Sequence, residues 1–150
     1  DLVIVGKKGW LYEEILAAPG RFGVGDRVKF LNYVADDDLT ALYESALCFA
    51  LPSLYEGFGL PVLEAMAYSV PVIASGVSSL PEIAGKAGIY VDPNDTTSIA
   101  EGLLTAVRQR NLIQGKVRIR AGLEQVKKFT WEAAAKKTLE VLEEVGRSRS

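Results

Sequence analysis

Histidine is absent from all 150 residues, which removes Ser-His-Asp hydrolysis, Cys-His proteolysis and histidine-based zinc sites from the chemistry open to this chain. The single cysteine, Cys48, excludes any disulfide within the chain. It lies in the apolar run from Ala46 to Leu51, where a buried core thiol is the ordinary reading. No apolar run approaches the ~18 residues that cross a bilayer, and no signal peptide is read before the first strand. A cytoplasmic protein is therefore expected, and the lone thiol is compatible with a reducing compartment. Positive charge is not in excess either. With a net charge of −2 and a pI near 5.3, the chain has no broad attraction for nucleic acid or for an anionic membrane surface. A small ligand or a protein partner is the better expectation.

What is present centres on one stretch, Pro52-Ser53-Leu54-Tyr55-Glu56-Gly57-Phe58-Gly59-Leu60-Pro61-Val62-Leu63-Glu64-Ala65-Met66-Ala67. The apolar run before it reads as a buried strand, and Pro61 suits the first turn of a helix, where its fixed φ fits and its missing N–H is no loss. A strand, a glycine-bearing loop and a helix start therefore follow one another. Such a junction turns unpaired amides and the positive end of the helix dipole toward a ligand, and phosphate gains most from both. Gly57 and Gly59 allow close approach of that phosphate to the backbone. Glu56 and Glu64 frame the spot, with Glu64 roughly 4 to 5 Å along the helix axis from Pro61.

Glu64 has two readings. Its neighbours Val62, Leu63, Ala65, Met66 and Ala67 leave almost no polar face, which marks a buried helix, and a buried carboxylate needs partners. Two adjacent ribose hydroxyls would supply charge-assisted hydrogen bonds. The plainer reading is a first-turn acid that complements the dipole. Glu56 taken alone reads as a solvated loop acid.

The remaining elements alternate. Asp1 to Gly6 reads as a buried parallel strand, followed by Lys7 and Lys8 in a solvated loop. A helix over Trp10 to Ala18 faces Leu11, Ile15 and Leu16 inward, with Trp10 packed, and ends at Pro19-Gly20. Val28 to Leu31 forms the second strand and Tyr33-Val34-Ala35 its following loop. Asp36, Asp37 and Asp38 open a helix reaching about Ala46, as N-cap and first-turn acids rather than metal ligands. Val70 to Ala74 is a strand, and Ser79 with Glu82 fits a capping box. Gly88 to Val91 is the last strand, Asp95 caps a helix from Thr96 to Arg110, and two helices follow. The second, Trp131 to Val145, gathers Ala134, Thr138, Val141, Leu142 and Val145 on one face, with Gly146 to Ser150 a frayed tail. Five strands alternating with helices predict an α/β fold with a doubly wound parallel sheet in one domain over residues 1–145.

The seven-residue spacing between Glu56 and Glu64, in PSLYEGFGLPVLEAMAYSVPVIASGVSSLPEIAGKAGIYVDPND, closely resembles the donor-binding half of glycosyltransferase family 4, retaining enzymes of the GT-B fold. The resemblance extends from LVIVGKKGWLYEEIL through RVKFLNYVADDDLTALYESA to FTWEAAAKKTLEVLEE. It implies transfer of a hexose from a nucleotide diphosphate sugar to an acceptor hydroxyl, without metal or cofactor, the departing phosphate taking the acceptor proton. Glu64 would hold the ribose. Glu56, the residue at the reaction centre, would accept from hydroxyls of the sugar. The loop at Gly57 and the amides of Phe58, Gly59 and Leu60 would meet sugar and phosphates, and the backbone around Val34 would contact the nucleobase.

The resemblance also implies parts that these residues do not contain. An Arg and a Lys that flank the donor pyrophosphate belong to a loop after a strand preceding LVIVG, and Lys7 and Lys8 do not match their position. An N-terminal domain would bind the acceptor, and peripheral membrane association of the parent enzyme is not encoded here. A donor half without basic pair or closing domain is expected to turn over poorly. Its sheet would lack the central strand, so DLVIVG and the strand near Cys48 are expected to close on each other or to take a strand from another chain. Two other readings compete. A non-catalytic interaction or regulatory domain of the same fold would be free to lose Glu56 and Glu64. A nicotinamide-dependent dehydrogenase would carry G-x-G-x-x-G where this chain has Gly6-Lys7-Lys8-Gly9-Trp10-Leu11.

Overall fold

The computed structural model describes residues 1–10 and 12–148 and divides into two compact units, Asp1–Leu42 and Tyr43–Ser150. In the first unit β1 (Leu2–Val5) pairs in parallel with β2 (Val28–Leu31), Leu2 opposite Val28 and Val5 opposite Leu31. Between them run α1 (Glu13–Arg21) and a short 3₁₀ turn, Gly25–Arg27. The expectation of a buried first strand is corrected here. Among the described residues β1 pairs with β2 alone, and Leu2 and Val5 remain 51% and 43% exposed. The helix meant to cover it buries no residue. Trp10 and Ile15 are exposed and Leu16 only half-buried, while Leu11 lies outside the described residues. Proline does not end α1 as predicted: Pro19 sits inside it. The hydrogen bond it forfeits would have gone to Ile15, which lies exposed where water can serve instead.

α2 (Asp36–Ser45) opens on its three aspartates as expected and leads into the second unit. That unit holds a parallel sheet in the order β3 (Phe49–Leu51), β4 (Val72–Ser75), β5 (Ile89–Val91). Among the described residues β1 and β3 thus belong to different parallel sheets, one in each unit, where the sequence reading had a single five-stranded sheet. Cys48 precedes β3 instead of lying within it. The thiol is half-buried against the core, and burial pushes its pKa up, with the Arg110 charge acting in the opposite direction.

β4 is buried at all four positions because it is central and covered on both faces. Ile73 packs with Ile89 and Val91 under α5 (Thr96–Gln109), where Ala106 completes the cluster. Gly102 makes that contact feasible. A Cβ there would stand 2.5 Å from Val91 Cγ1 and 3.2 Å from Ile73 Cγ2. Val72, one residue along, faces the opposite way, toward Met66 of α3 (Leu60–Ala67) and toward Ile119 and Gly122 of α6 (Ile113–Val126). α4 (Leu80–Ala84) connects β4 to β5. Asp95 caps α5 as predicted, its carboxylate accepting from the Thr97 amide at 2.8 Å.

In α7 (Trp131–Ser148) the apolar stripe of Val141, Leu142 and Val145 is exposed, yet the helix continues past Gly146 to Ser148, where a frayed tail was expected; the last two residues of that tail lie outside the described residues. An Arg147–Glu143 pair, 3.5 Å apart at i,i+4, supports the final turn. No described helix is long and apolar enough to cross a membrane.

Candidate functional site

In the second unit the three parallel strands end on the same edge, and the loops that leave them there face one another. This is the edge at which open α/β sheets take their ligands. The loop after β3, residues 52–59, delivers the chain into α3 through Gly59. That residue is buried, with φ 109 and ψ 42. A Cβ on it would lie 2.7 Å from Leu80 Cδ2, so both backbone angle and packing demand glycine. Gly57 differs: nothing lies within 4 Å of where its Cβ would stand, so the loop is open there.

α3 starts at Leu60 with Pro61 in its first turn. Pro61 has no N–H, and the Val62 amide is taken by the Gly59 carbonyl at 3.0 Å, which leaves Leu60 to present the outward amide of that turn.

The loop after β4, residues 76–79, clamps this segment. Ser78 Oγ accepts from the Glu56 amide at 3.0 Å and donates to the Glu56 carbonyl at 3.0 Å. Ser79 Oγ lies 2.7 Å from the Phe58 carbonyl and 3.0 Å from that of Glu56, sharing its one proton between them. The predicted capping box is therefore corrected. Ser79 has helical angles, φ −77 and ψ −18, and makes no side-chain cap bond. An N-cap hydroxyl needs an extended backbone to reach the amides ahead of it, so this one turns to the neighbouring loop. Ser78 pays a conformational cost for its place, with φ 53. The Phe58 ring meets Phe129 edge-on, centroids 5.8 Å apart, which anchors the loop on a second side.

The two acids stand in different environments. Glu56 is half-buried, and one carboxylate oxygen accepts from Ser53 Oγ at 2.8 Å. Its backbone and one carboxylate oxygen are thus fixed by Ser78 and Ser53. Glu64 is exposed, contrary to the buried helix position expected for it. On α3 the residues Val62, Leu63, Ala65 and Met66 are all buried, and the 3.6-residue period turns Glu64 and Ala67 outward between them. Glu64 nevertheless has a partner: Tyr43 Oη donates to its Oε2 at 2.9 Å. Tyr43 is itself buried, its ring stacked on Tyr68 with centroids 5.5 Å apart and tilted against Phe49. Desolvation first, and then the Glu64 hydrogen bond and charge, push the phenol pKa far up, so it remains a donor.

The structure thus brings Glu56, Gly57, Phe58, Gly59, Leu60 and Glu64 onto one loop and helix start of the second unit, whereas Val34 lies half-buried in the loop after β2 in the first. Four contributors were not legible in these roles. Ser78 and Ser79 show only as hydroxyls in a loop at the ligand edge, Tyr43 as one more residue of α2, and Phe129 only as the first residue of the terminal stretch FTWEAAAKKTLEVLEE.

The family described as "Glycosyl transferases group 1" matches residues 1–109. O-antigen chain mannosyltransferase B of Escherichia coli is 39% identical over 138 residues, covering 92% of this chain and 36% of that protein. Among solved structures, sucrose-phosphate synthase from Thermosynechococcus elongatus superposes with a TM-score of 0.83 at 28% identity, over 98% of this chain and 39% of the other. Anabaena HepE, solved in complex with UDP, gives a TM-score of 0.81 at 22% identity over 95% of this chain and 40% of its own, a likeness of fold. The chain spans little more than a third of the length of these relatives. With the parallel α/β architecture and the match over residues 1–109, the chain belongs to the group 1 glycosyl transferases and has the Rossmann-like build of the GT-B enzymes.

Proposed function

We propose that this chain carries the donor site of a retaining, metal-independent glycosyltransferase of family 4, which moves a hexose from a nucleotide diphosphate sugar to an acceptor hydroxyl. The observation that carries the reading is the pair of acids on either side of the Gly59–Leu60 helix start, Glu56 half-buried and clamped, Glu64 exposed. Glu64 accepts from the ribose. Glu56 accepts from hydroxyls of the sugar through its second carboxylate oxygen, and such bonds strengthen as the sugar approaches an oxocarbenium ion. The loop at Gly57 and the amides of Phe58, Gly59 and Leu60 meet sugar and diphosphate, where the helix start favours negative charge. Val34 serves the nucleobase, an assignment that rests on the family resemblance.

In the transfer, the bond from the anomeric carbon to the diphosphate oxygen breaks as the acceptor oxygen bonds the same face. The acceptor proton passes to the departing phosphate oxygen, so this step calls for no histidine. The hexose is supported by the mannosyltransferase relative. The acceptor is bound by an N-terminal domain of the same enzyme, and the reaction takes place in the cytoplasm.

Calorimetric titration with nucleoside diphosphates and their sugars tests the assignment. Glu56→Ala should weaken binding of the nucleotide sugar and leave the free nucleotide nearly unchanged. Equal losses for both ligands would move Glu56 to a structural role.

A further inference from the structure

We propose that Tyr43 is a positioning residue for the donor site, holding the Glu64 carboxylate in the rotamer that accepts the ribose hydroxyls. The inference rests on the ribose reading of Glu64 and deepens it. An exposed glutamate on a helix has several accessible rotamers, and a ligand that needs one of them must first select it. Here that selection is already made. The Tyr43 hydroxyl, 2.9 Å from Glu64 Oε2, fixes one end of the carboxylate.

The tether is effective because Tyr43 is itself held in place by packing. Its ring is buried, stacked on Tyr68 at an interplanar angle of 8° and tilted against Phe49 at 5.9 Å. The phenol brings one proton, which it gives to Oε2, and one carboxylate bond does not exhaust the acceptor. Oε2 keeps a lone pair and Oε1 keeps both. Two adjacent hydroxyls thus still find two oxygens, now in a fixed plane. Because burial first, and then the Glu64 hydrogen bond and charge, push the phenol pKa up, the donor keeps its proton at neutral pH.

A merely structural tyrosine would show no preference between ligands, and this separates the two roles. Tyr43→Phe keeps the ring stack and removes only the hydroxyl. The probes are uridine and guanosine diphosphate and their 2′,3′-dideoxy counterparts, titrated calorimetrically into the full chain. The expected result is a loss on the order of 5- to 10-fold in affinity for the ribonucleotide, the net size of one ordinary hydrogen bond, with the dideoxy analogue nearly unaffected. In a Glu64→Ala background, Tyr43→Phe should add nothing, since the two act as one unit.

Equal losses for both ligand types, or a ribonucleotide affinity that drops in Glu64→Ala but not in Tyr43→Phe, would overturn the positioning role and leave the ribose reading standing. Unchanged ribonucleotide affinity in Glu64→Ala, or no nucleotide binding by the unsubstituted chain, would overturn both. Should Tyr43→Phe fail to fold, Glu64→Gln supplies the second test. It keeps an oxygen for the phenol and replaces one acceptor by a donor, so it should lose ribonucleotide affinity while the dideoxy analogue stays level, and parallel losses would again overturn the proposal.

Discussion

Replacing Ser78 by alanine and by glycine should have unequal consequences, because this residue both makes two bonds and sits in a costly conformation. Its Oγ holds the amide and the carbonyl of Glu56, each at 3.0 Å. At about 1 kcal/mol net per hydrogen bond, losing both removes about 2 kcal/mol. Alanine loses the bonds and keeps the left-handed φ of 53, so Ser78→Ala should cost about 2 kcal/mol. Glycine loses the same bonds but is relieved of roughly 1 to 2 kcal/mol of left-handed strain. Against this relief stands the ~0.5 to 1 kcal/mol that glycine's freer unfolded chain takes back, so Ser78→Gly should cost about 1 kcal/mol. Guanidinium unfolding followed by circular dichroism measures both, and nucleotide-sugar affinity should fall in the same order. An alanine variant no less stable than the glycine variant would refute the reasoning, as would two variants indistinguishable from the unsubstituted chain.

Gly59→Ala should be more damaging, by about 2 to 4 kcal/mol, since the new methyl group meets both a forbidden φ and the buried Leu80 side chain at 2.7 Å. A urea midpoint shifted by an amount worth less than about 0.5 kcal/mol would contradict this. Cys48 should alkylate with iodoacetamide more slowly than free cysteine at pH 8, and its rate should keep climbing above the pH at which a free thiol levels off. Burial raises the pKa and so suppresses the thiolate that reacts. A rate equal to that of free cysteine would contradict the half-buried position.

Much of the site was legible because its signals are local. Pro61 and the glycines mark a strand-to-helix junction through backbone angles, and Asp95 announces its helix through one side-chain bond to Thr97. Elements defined by aliphatic runs, such as Val28 to Leu31 and the stretch leading into Ser75, were placed to within a few residues. What failed depends on what lies opposite. The same run of apolar residues that predicted a buried Glu64 buries only its own positions, and the helical period turns the acid outward. Trp10 reads as a packing residue and is 96% exposed, with no described residue of its own unit covering it. Ser79 carries a capping sequence with Glu82, yet its backbone adopts the wrong angles for a cap and its hydroxyl serves Phe58 instead. Contacts such as Tyr43 with Glu64, 21 residues apart, leave no pattern that a reader of the sequence would find.

The central claim is that a nucleoside diphosphate binds at the start of α3, between Glu56 and Glu64, and amide chemical shifts report on that location directly. Titrating uridine or guanosine diphosphate into the isotopically labelled chain should move the amide signals of Gly57, Phe58, Gly59 and Leu60 most, with Glu64 following, and should leave α7 unmoved. Perturbations centred elsewhere in the chain, or none at all at saturating nucleotide, would contradict it.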